Sequence, residues 1–164
     1  MTSSIAIRAV EVADYDQIWD LLKPVFRAGD TYAIATDISR AAALAYWCGP
    51  QHMVWVATRQ QTIIGTYYRR INQAGGGDHV CNCGFITHPE AQGQGVARGL
   101  LQHALGGARH AGFRAMQFNF VVATNHRALT LWQRAGFDIV GRLPAAFRHP
   151  EHGDVEVFIL YRQL

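Results

Sequence analysis

The chain has 164 residues, of which 49% are hydrophobic and 16% are charged. This length suits one packed core and is too short for two typical domains, so we expect a single domain over residues 1–164. The net charge of +3, with histidines neutral, is mild and includes no basic run, which argues against a nucleic-acid partner. No segment approaches the roughly 18 apolar residues of a membrane span, and residues 1–8 lack a secretory pattern. We therefore expect a cytoplasmic protein without a membrane partner.

The three cysteines are Cys48, Cys81 and Cys83, and the last two lie at i and i+2 in an apparent strand. This usage is typical of reduced core thiols in an intracellular protein. A metal site that adds His79 or His88 to the Cys81 and Cys83 pair is the alternative. Since no second pair of ligands has zinc spacing, we expect no metal.

The first third of the chain predicts a strand and two helices. Residues 5–10 form a short strand, after which Asp14 caps an amphipathic helix that Pro24 bends or ends. A loop follows at 27–36. A second helix runs from Ala41 to Trp47, with Asp37 as its cap and Gly49-Pro50 as its stop.

The rest of the chain alternates strands with two further helices. The sequence predicts a hairpin of two strands, 53–58 and 62–71, then a strand at 79–87 and a helix at 96–111. A strand at 115–122 and a helix capped by Asn125 follow. The closing strands are 137–143 and 155–161, with a loop at 144–154 between them. Gly112 and Gly136 fit the position after a helix end. Antiparallel hairpins around one crossover helix indicate an α+β, or mixed α/β, three-layer domain.

The strand at 79–87 passes through His88-Pro89-Glu90 into a glycine-rich turn and then a helix. Such a turn collects unpaired backbone N–H groups at the positive end of a helix dipole, with no Cβ to block approach. This arrangement is typical of a phosphate site. A P-loop is excluded because the motif has no lysine, and a dinucleotide fingerprint fails because Arg98 stands at its third glycine.

What remains is the turn Gln92-Gly93-Gln94-Gly95-Val96-Ala97. It resembles the coenzyme A pyrophosphate loop of the Gcn5-related N-acetyltransferase (GNAT) superfamily. The likeness extends from about residue 52 to the C-terminus. A second motif of the superfamily, Asn-x-x-Ala-x-x-Leu-aromatic-x-x-x-Gly-Phe, is present at 125–137 and makes the resemblance more specific. The resemblance implies four helices and a mostly antiparallel sheet of six to seven strands, splayed between strands 79–87 and 115–122. It also implies acetyl-CoA as the co-substrate.

Two segments and one side chain are predicted to bind that co-substrate. The backbone N–H groups from Gly93 to Ala97 can surround a pyrophosphate. The resemblance adds that the backbone at 85–87 pairs with the pantetheine arm and that Asn125 bonds to the arm. An ordinary N-cap role for Asn125 is the alternative, and the two roles are compatible. The predicted cofactor residues are Phe85, Ile86, Thr87, Gln92, Gly93, Gln94, Gly95, Val96, Ala97 and Asn125.

Acetyl transfer needs a neutral amine, a donor for the carbonyl oxygen and a proton for the leaving thiolate. Many superfamily members assign the last task to a tyrosine seven residues after the conserved asparagine. Trp132 stands at that position here, and an indole N–H is too weak an acid for the task. The sequence therefore does not identify a general acid.

Asn82 and Asn119 are our candidate catalytic residues, because asparagine is disfavoured inside strands and a buried amide without partners costs about 1–3 kcal/mol. Their amides can orient an amine or donate to an oxyanion; equally, both can be satisfied core polars. Together with Asn125 they resemble the pattern of the azetidine-2-carboxylate N-acetyltransferases, fungal enzymes that acetylate proline analogues. In that family the counterparts of Asn82 and Asn119 bind the substrate and take part in catalysis.

The acceptor side is less defined by sequence. Tyr32, Tyr67 and Tyr68 are candidates to line it, and His149 and His152 fit solvated loop positions. We expect a small-molecule amine as the acceptor. A protein or peptide amine, and a non-catalytic CoA-binding domain, are the alternatives. The outer strands leave edges that need cover, so a homodimer is one expected assembly.

Overall fold

The computed structural model describes residues 4–164; part of the N-terminal expectation, at residues 1–3, lies outside them. The described residues form seven strands and four helices. The strands are β1 (Ala6–Ala9), β2 (Met53–Arg59), β3 (Thr62–Ile71), β4 (Val80–Thr87), β5 (Ala115–Val122), β6 (Asp138–His149) and β7 (Gly153–Gln163). The helices are α1 (Tyr15–Ala28), α2 (Arg40–Trp47), α3 (Val96–His110) and α4 (His126–Arg134).

The strands form one sheet in the order β1-β2-β3-β4-β5-β7-β6. Neighbours are antiparallel except β4 and β5, which α3 connects and which run parallel. Only Val80 with Ala115 and Cys81 with Met116 are paired between these two strands. Beyond Cys81 the strands separate, so the predicted splay in the sheet is confirmed.

Each face of the sheet carries its own core. Helix α3 packs on one face, where Cys81, Cys83 and Leu100 are buried in one cluster. Helices α1 and α2 pack on the other face, where Ile86 belongs to a separate cluster. Because side chains alternate along β4, its residues divide between the two cores, and the three-layer architecture is confirmed.

Asp14 occupies the N-cap position of α1, as predicted, but its side chain makes no cap bond, and the predicted end of the helix is corrected. Pro24 lies inside α1, which continues to Ala28 and ends at Gly29 with φ +64°. The buried side of α1 offsets the hydrogen bond that proline removes. The carboxylate of Asp14 does not cap α1, since it accepts bonds from Glu11 N at 2.7 Å and from the Arg8 guanidinium at 2.7 and 2.8 Å.

Two further expectations were wrong. Ser39, not Asp37, caps α2, with its hydroxyl accepting from Ala42 N at 3.1 Å. Most of the predicted loop at 144–154 is strand, because β6 and β7 form a long hairpin. An irregularity between Leu143 and Phe147, with Ala145 at φ +51°, accommodates the proline at 144 without ending the strand.

No helix among residues 4–164 is long and apolar enough to cross a membrane.

Candidate functional site

The glycine-rich turn lies directly before α3 and is open to solvent. Gly93 and Gly95 adopt φ values of +74° and +83°, which favour glycine. A Cβ placed on either residue meets no atom within 4 Å. The space in front of these two glycines is therefore open.

Backbone N–H groups point into this turn without internal acceptors. Within residues 4–164, none of the N–H groups from 93 to 98 donates a hydrogen bond to the protein. The first bond of the helix is donated by Gly99 N to Gly95 O at 2.9 Å. Helix α3 has 15 residues, and its first turn contains no acidic residue. The helix dipole and these N–H groups together favour an anion at this position.

The two glutamine side chains of the turn hold its shape. Arg59 Nη1 donates to Gln94 Oε1 at 2.6 Å, and Gln94 Nε2 donates to Glu90 O at 2.7 Å. Arg127, on α4, donates to Gln92 Oε1. These contacts tie the turn to β2 and to α4, so the side chains of Gln92 and Gln94 brace the loop while its backbone faces outward.

The open edge of β4 continues from this turn. His88 N donates to Ile64 O and Asn72 N donates to Val80 O, both at 2.9 Å, which fixes the register between β3 and β4. In this register the backbone groups of Phe85 and Thr87 face the splay, whereas those of Ile86 face β3. Of the three residues predicted to pair with the arm, Phe85 and Thr87 are therefore the two whose backbone groups face the open edge.

Tyr32, in the loop between α1 and α2, reaches this open edge. Its hydroxyl donates to Phe85 O at 3.0 Å, and its ring packs edge-on against Phe26 and Trp47. Burial raises the pKa of the Tyr32 hydroxyl, so it stays protonated at neutral pH. Tyr32 thus lies at the splay, beside the backbone predicted to contact the cofactor.

Tyr68 and Tyr67 face opposite sides of the sheet. Tyr68 stacks on His52 with ring centroids 4.0 Å apart, on the face of α1 and α2. Tyr67 is on the other face, and its hydroxyl pairs with His103 Nδ1 at 2.8 Å. Tyr67 and Tyr68, both candidates to line the acceptor side, are therefore on opposite faces of the sheet.

The candidate asparagines differ in their partners. Asn119 donates from Nδ2 to Asn72 Oδ1 at 2.7 Å and accepts at Oδ1 from Gln117 Nε2 at 2.9 Å. The side chain of Asn82 is half-buried and makes no hydrogen bond within residues 4–164. Asn119 is thus held by two neighbours, whereas the amide of Asn82 has no partner among the described residues.

Sequence reasoning missed Asn72, which is 9% exposed. The one signal for it was a polar residue directly after an apolar strand.

Asn125 and Trp132, both in or next to α4, have structural partners. Asn125 Oδ1 accepts from Ala128 N at 3.3 Å, which is the N-cap interaction. Trp132 is 8% exposed, and its ring lies 5.1 Å from Phe85 and 4.8 Å from Phe118. The indole therefore packs in the core directly behind the open edge of β4.

Two remaining expectations concern histidines and metals. His149 is only 8% exposed and packs 4.5 Å from His152, so it is not a solvated loop residue as predicted, because it ends β6. The three cysteines are free thiols. Among the described residues, no group of three or more potential ligands is placed to hold a metal.

The sheet separates beside a parallel crossover, and a turn of unpaired amides precedes the crossover helix. The model of the Acetyltransferase (GNAT) family matches residues 15–137. The chain therefore belongs to the acetyltransferase (GNAT) family.

Known proteins agree with this placement. The chain is 34% identical over 99 residues to the N-acetyltransferase aca1 of Schizosaccharomyces pombe, covering 60% of this chain and 47% of that protein. It is 25% identical over 126 residues to the mycothiol acetyltransferase of Propionibacterium freudenreichii, and the match covers 74% of this chain and 40% of that protein. The match spans less than half the length of each of these curated relatives.

Solved structures match over nearly the whole chain. A GCN5-related N-acetyltransferase from Kribbella flavida has 37% identity and a TM-score of 0.92, covering 98% of both chains. A phosphinothricin acetyltransferase from Sinorhizobium meliloti, in complex with AcCoA, has 22% identity and a TM-score of 0.83, covering 100% of this chain and 89% of that one. The second likeness shows the fold alone.

Proposed function

We propose that this chain is an acetyl-CoA-dependent N-acetyltransferase that moves the acetyl group directly to the amine of a small molecule, in particular a proline-like secondary amine. The observation that carries the proposal is the turn at 93–98, whose N–H groups lack acceptors, continuous with the open edge of β4. The open space in front of its two glycines would let a diphosphate approach these N–H groups closely. Family membership supports the same activity.

When bound, the cofactor supplies an activated acetyl thioester. The chain's own residues do the rest. The N–H groups of Gly93 to Ala97 hold the diphosphate, and the backbone of Phe85 and Thr87 pairs with the extended arm as an added strand. In this proposal the end of the arm lies C-terminal to Cys81 along β4, where β5 is no longer paired with β4. Asn125 lies at the start of α4, in place to support the arm from the other wall.

The acceptor amine is oriented from the face of α1 and α2. The amide of Asn82 is the group with free hydrogen-bonding capacity there, and Asn119 is held close by through Asn72. An amide cannot take a proton at neutral pH, so Asn82 positions the amine while solvent receives the proton. The transfer forms the C–N bond and breaks the C–S bond, and the proton lost by the amine balances the one gained by the thiol.

The proline-like acceptor rests on two supports. One is the resemblance of Asn82, Asn119 and Asn125 to the pattern of the azetidine-2-carboxylate N-acetyltransferases. The other is the aromatic cluster on the face of α1 and α2, in which Trp47 contacts both Tyr32 and Tyr68 and which would offer apolar contact to a compact ring. Aromatic rings give apolar contact area to such a ring and leave recognition of its nitrogen to Asn82.

Thiol release from acetyl-CoA with a panel of primary amines, secondary cyclic amines and peptides tests this function. We expect turnover to be fastest with a cyclic secondary amine. Faster turnover of a peptide amine would select a protein N-acetyltransferase instead. Cofactor binding without transfer to any acceptor would select a non-catalytic CoA-binding domain.

A further inference from the structure

We propose that Asn72 is a positioning residue for acetyl transfer, because its side chain fixes the direction of the Asn119 amide beside the splay. This inference rests on the proposed function and adds to its site a residue that belongs to none of the motifs of the chain. It comes from the hydrogen bond that Asn119 Nδ2 donates to Asn72 Oδ1 at 2.7 Å, between residues 47 positions apart.

The backbone around Asn119 is held less firmly than the rest of β5. Only the first two residues of β5 are paired with β4, so β4 does not support the strand at Asn119. On the other side, Asn119 and Phe120 lie opposite the single residue Ile159 of β7, where the register shifts. A bulge of this kind re-aims a side chain. The direction of the Asn119 side chain is therefore set by its own hydrogen bonds.

The bond between the two asparagines passes over the strand that carries Asn82. Cys83 on β4 and Phe118 on β5 belong to the core under α3. Because side chains alternate along a strand, Asn82 and Asn119 point to the opposite face, that of α1 and α2. In the sheet, β4 lies between β5 and β3, which Asn72 follows directly. The bond from Asn119 to Asn72 therefore spans β4 on the face proposed for the acceptor.

The side chain of Asn72 is not needed to end β3. Its backbone N–H already donates to Val80 O at 2.9 Å, which continues the pairing of β3 with β4. Asn72 is 9% exposed, whereas Asn119 is an exposed residue. A buried amide thus holds an amide that a substrate can reach.

The Asn119 amide is bonded at both of its polar atoms. Gln117 Nε2 donates to Asn119 Oδ1 at 2.9 Å, and Asn119 Nδ2 donates to Asn72. An asparagine amide has two N–H donors and an oxygen with two lone pairs. One N–H and one lone pair of Asn119 are therefore left for the acceptor, in an orientation that its two neighbours determine.

Two variants of similar size separate positioning from packing. Asn72→Leu removes the acceptor of the bond, whereas the carboxylate of Asn72→Asp still accepts from Asn119 and permits only the direction proposed. Arg70, which is paired with Asn82 and lies two residues before Asn72, would offset the added charge. With the amine that the parent protein acetylates fastest, we expect Asn72→Leu to lower kcat by about 5- to 30-fold and Asn72→Asp by less than about threefold. CoA affinity should stay within about twofold in both, because the glycine turn lies beyond the other end of β4.

A double-mutant cycle shows whether Asn72 acts through Asn119. Asn119→Ala should lower kcat at least about tenfold, and adding Asn72→Leu should lower it by less than a further factor of about two. Losses that multiply, an unchanged kcat in Asn119→Ala, or equal losses in Asn72→Leu and Asn72→Asp would overturn the positioning role. Each of these results would leave the proposed function in place, since the parent protein turns over. Absence of turnover by the parent on every amine would refute the proposed function and the positioning role together.

The side-chain amide of Asn119 reports its own orientation without turnover. Its NMR signals are assigned by their loss from the spectrum of Asn119→Ala. We expect one of its two protons to exchange slowly with solvent in the parent and in Asn72→Asp, and rapidly in Asn72→Leu. Exchange that Asn72→Leu leaves unchanged would overturn the proposal. Comparable melting temperatures for the parent and both Asn72 variants would show that a loss of kcat is not a loss of folded protein.

Discussion

Substitution of Gly95 tests the anion site most directly, because the same helix provides a matched control. Gly95 precedes the first turn of α3 with φ +83°, and Gly112 follows its last turn with φ +88°. A Cβ at either position meets nothing within 4 Å. Each alanine variant should therefore lose about 1–2 kcal/mol for the left-handed backbone. For a domain of this size, that loss of stability should lower the Tm of each of the two alanine variants by about 2–8 °C.

Only the residue at position 95 lies where the diphosphate is proposed to bind. A carboxylate in Gly95→Asp would meet phosphate charges at about 5 Å, where each pair of unit charges costs about 3 kcal/mol at an effective dielectric of 20. We expect CoA affinity to fall more than 100-fold. Asp at a helix N-terminus is itself favourable by about 0.3–1 kcal/mol, so Gly95→Asp should be more stable than Gly95→Ala while binding less.

Calorimetric titration with CoA and melting curves with and without CoA measure both quantities. Gly112→Asp is the control, and its affinity should equal that of the parent protein. If Gly95→Asp bound CoA within threefold of the parent, or if Gly112→Asp lost as much affinity, the N-terminus of α3 would not be the diphosphate site.

Three further predictions concern single side chains. Asn82→Ala should lower kcat at least tenfold without changing CoA affinity or stability, since its amide has no internal partner; an unchanged kcat in steady-state assays would contradict its role. Asp14→Asn should cost about 1 kcal/mol at pH 7, because hydrogen bonding from Arg8 lowers the pKa of the Asp14 carboxyl. That difference should shrink as the pH falls below about 4, through the lowered pKa, and denaturant titrations across pH that show a constant difference would refute it. Trp132→Phe should destabilise by about 1–3 kcal/mol yet keep kcat within about threefold, since the indole packs on Phe85 and supplies no proton; a much larger loss of kcat at unchanged stability would refute this.

The sequence by itself determined the features that depend on local chemistry. The turn at 92–97, the start of α3 at Val96 and the bounds of β5 follow from glycine positions and from the period of apolar residues. Asn125 was recognisable as a helix cap for the same reason. Each of these signals is contained within a few neighbouring residues.

Only the tertiary structure decided which distant residues meet. It kept Pro24 inside α1, directed Tyr67 to His103 on the face opposite to Tyr68, and joined Asn119 to Asn72 across 47 residues of sequence. The pairing of Arg70 with Asn82 depends on the register between two strands, and a shift of one residue would move each side chain to the other face. Register is set by the summed packing of both cores, which no local pattern contains.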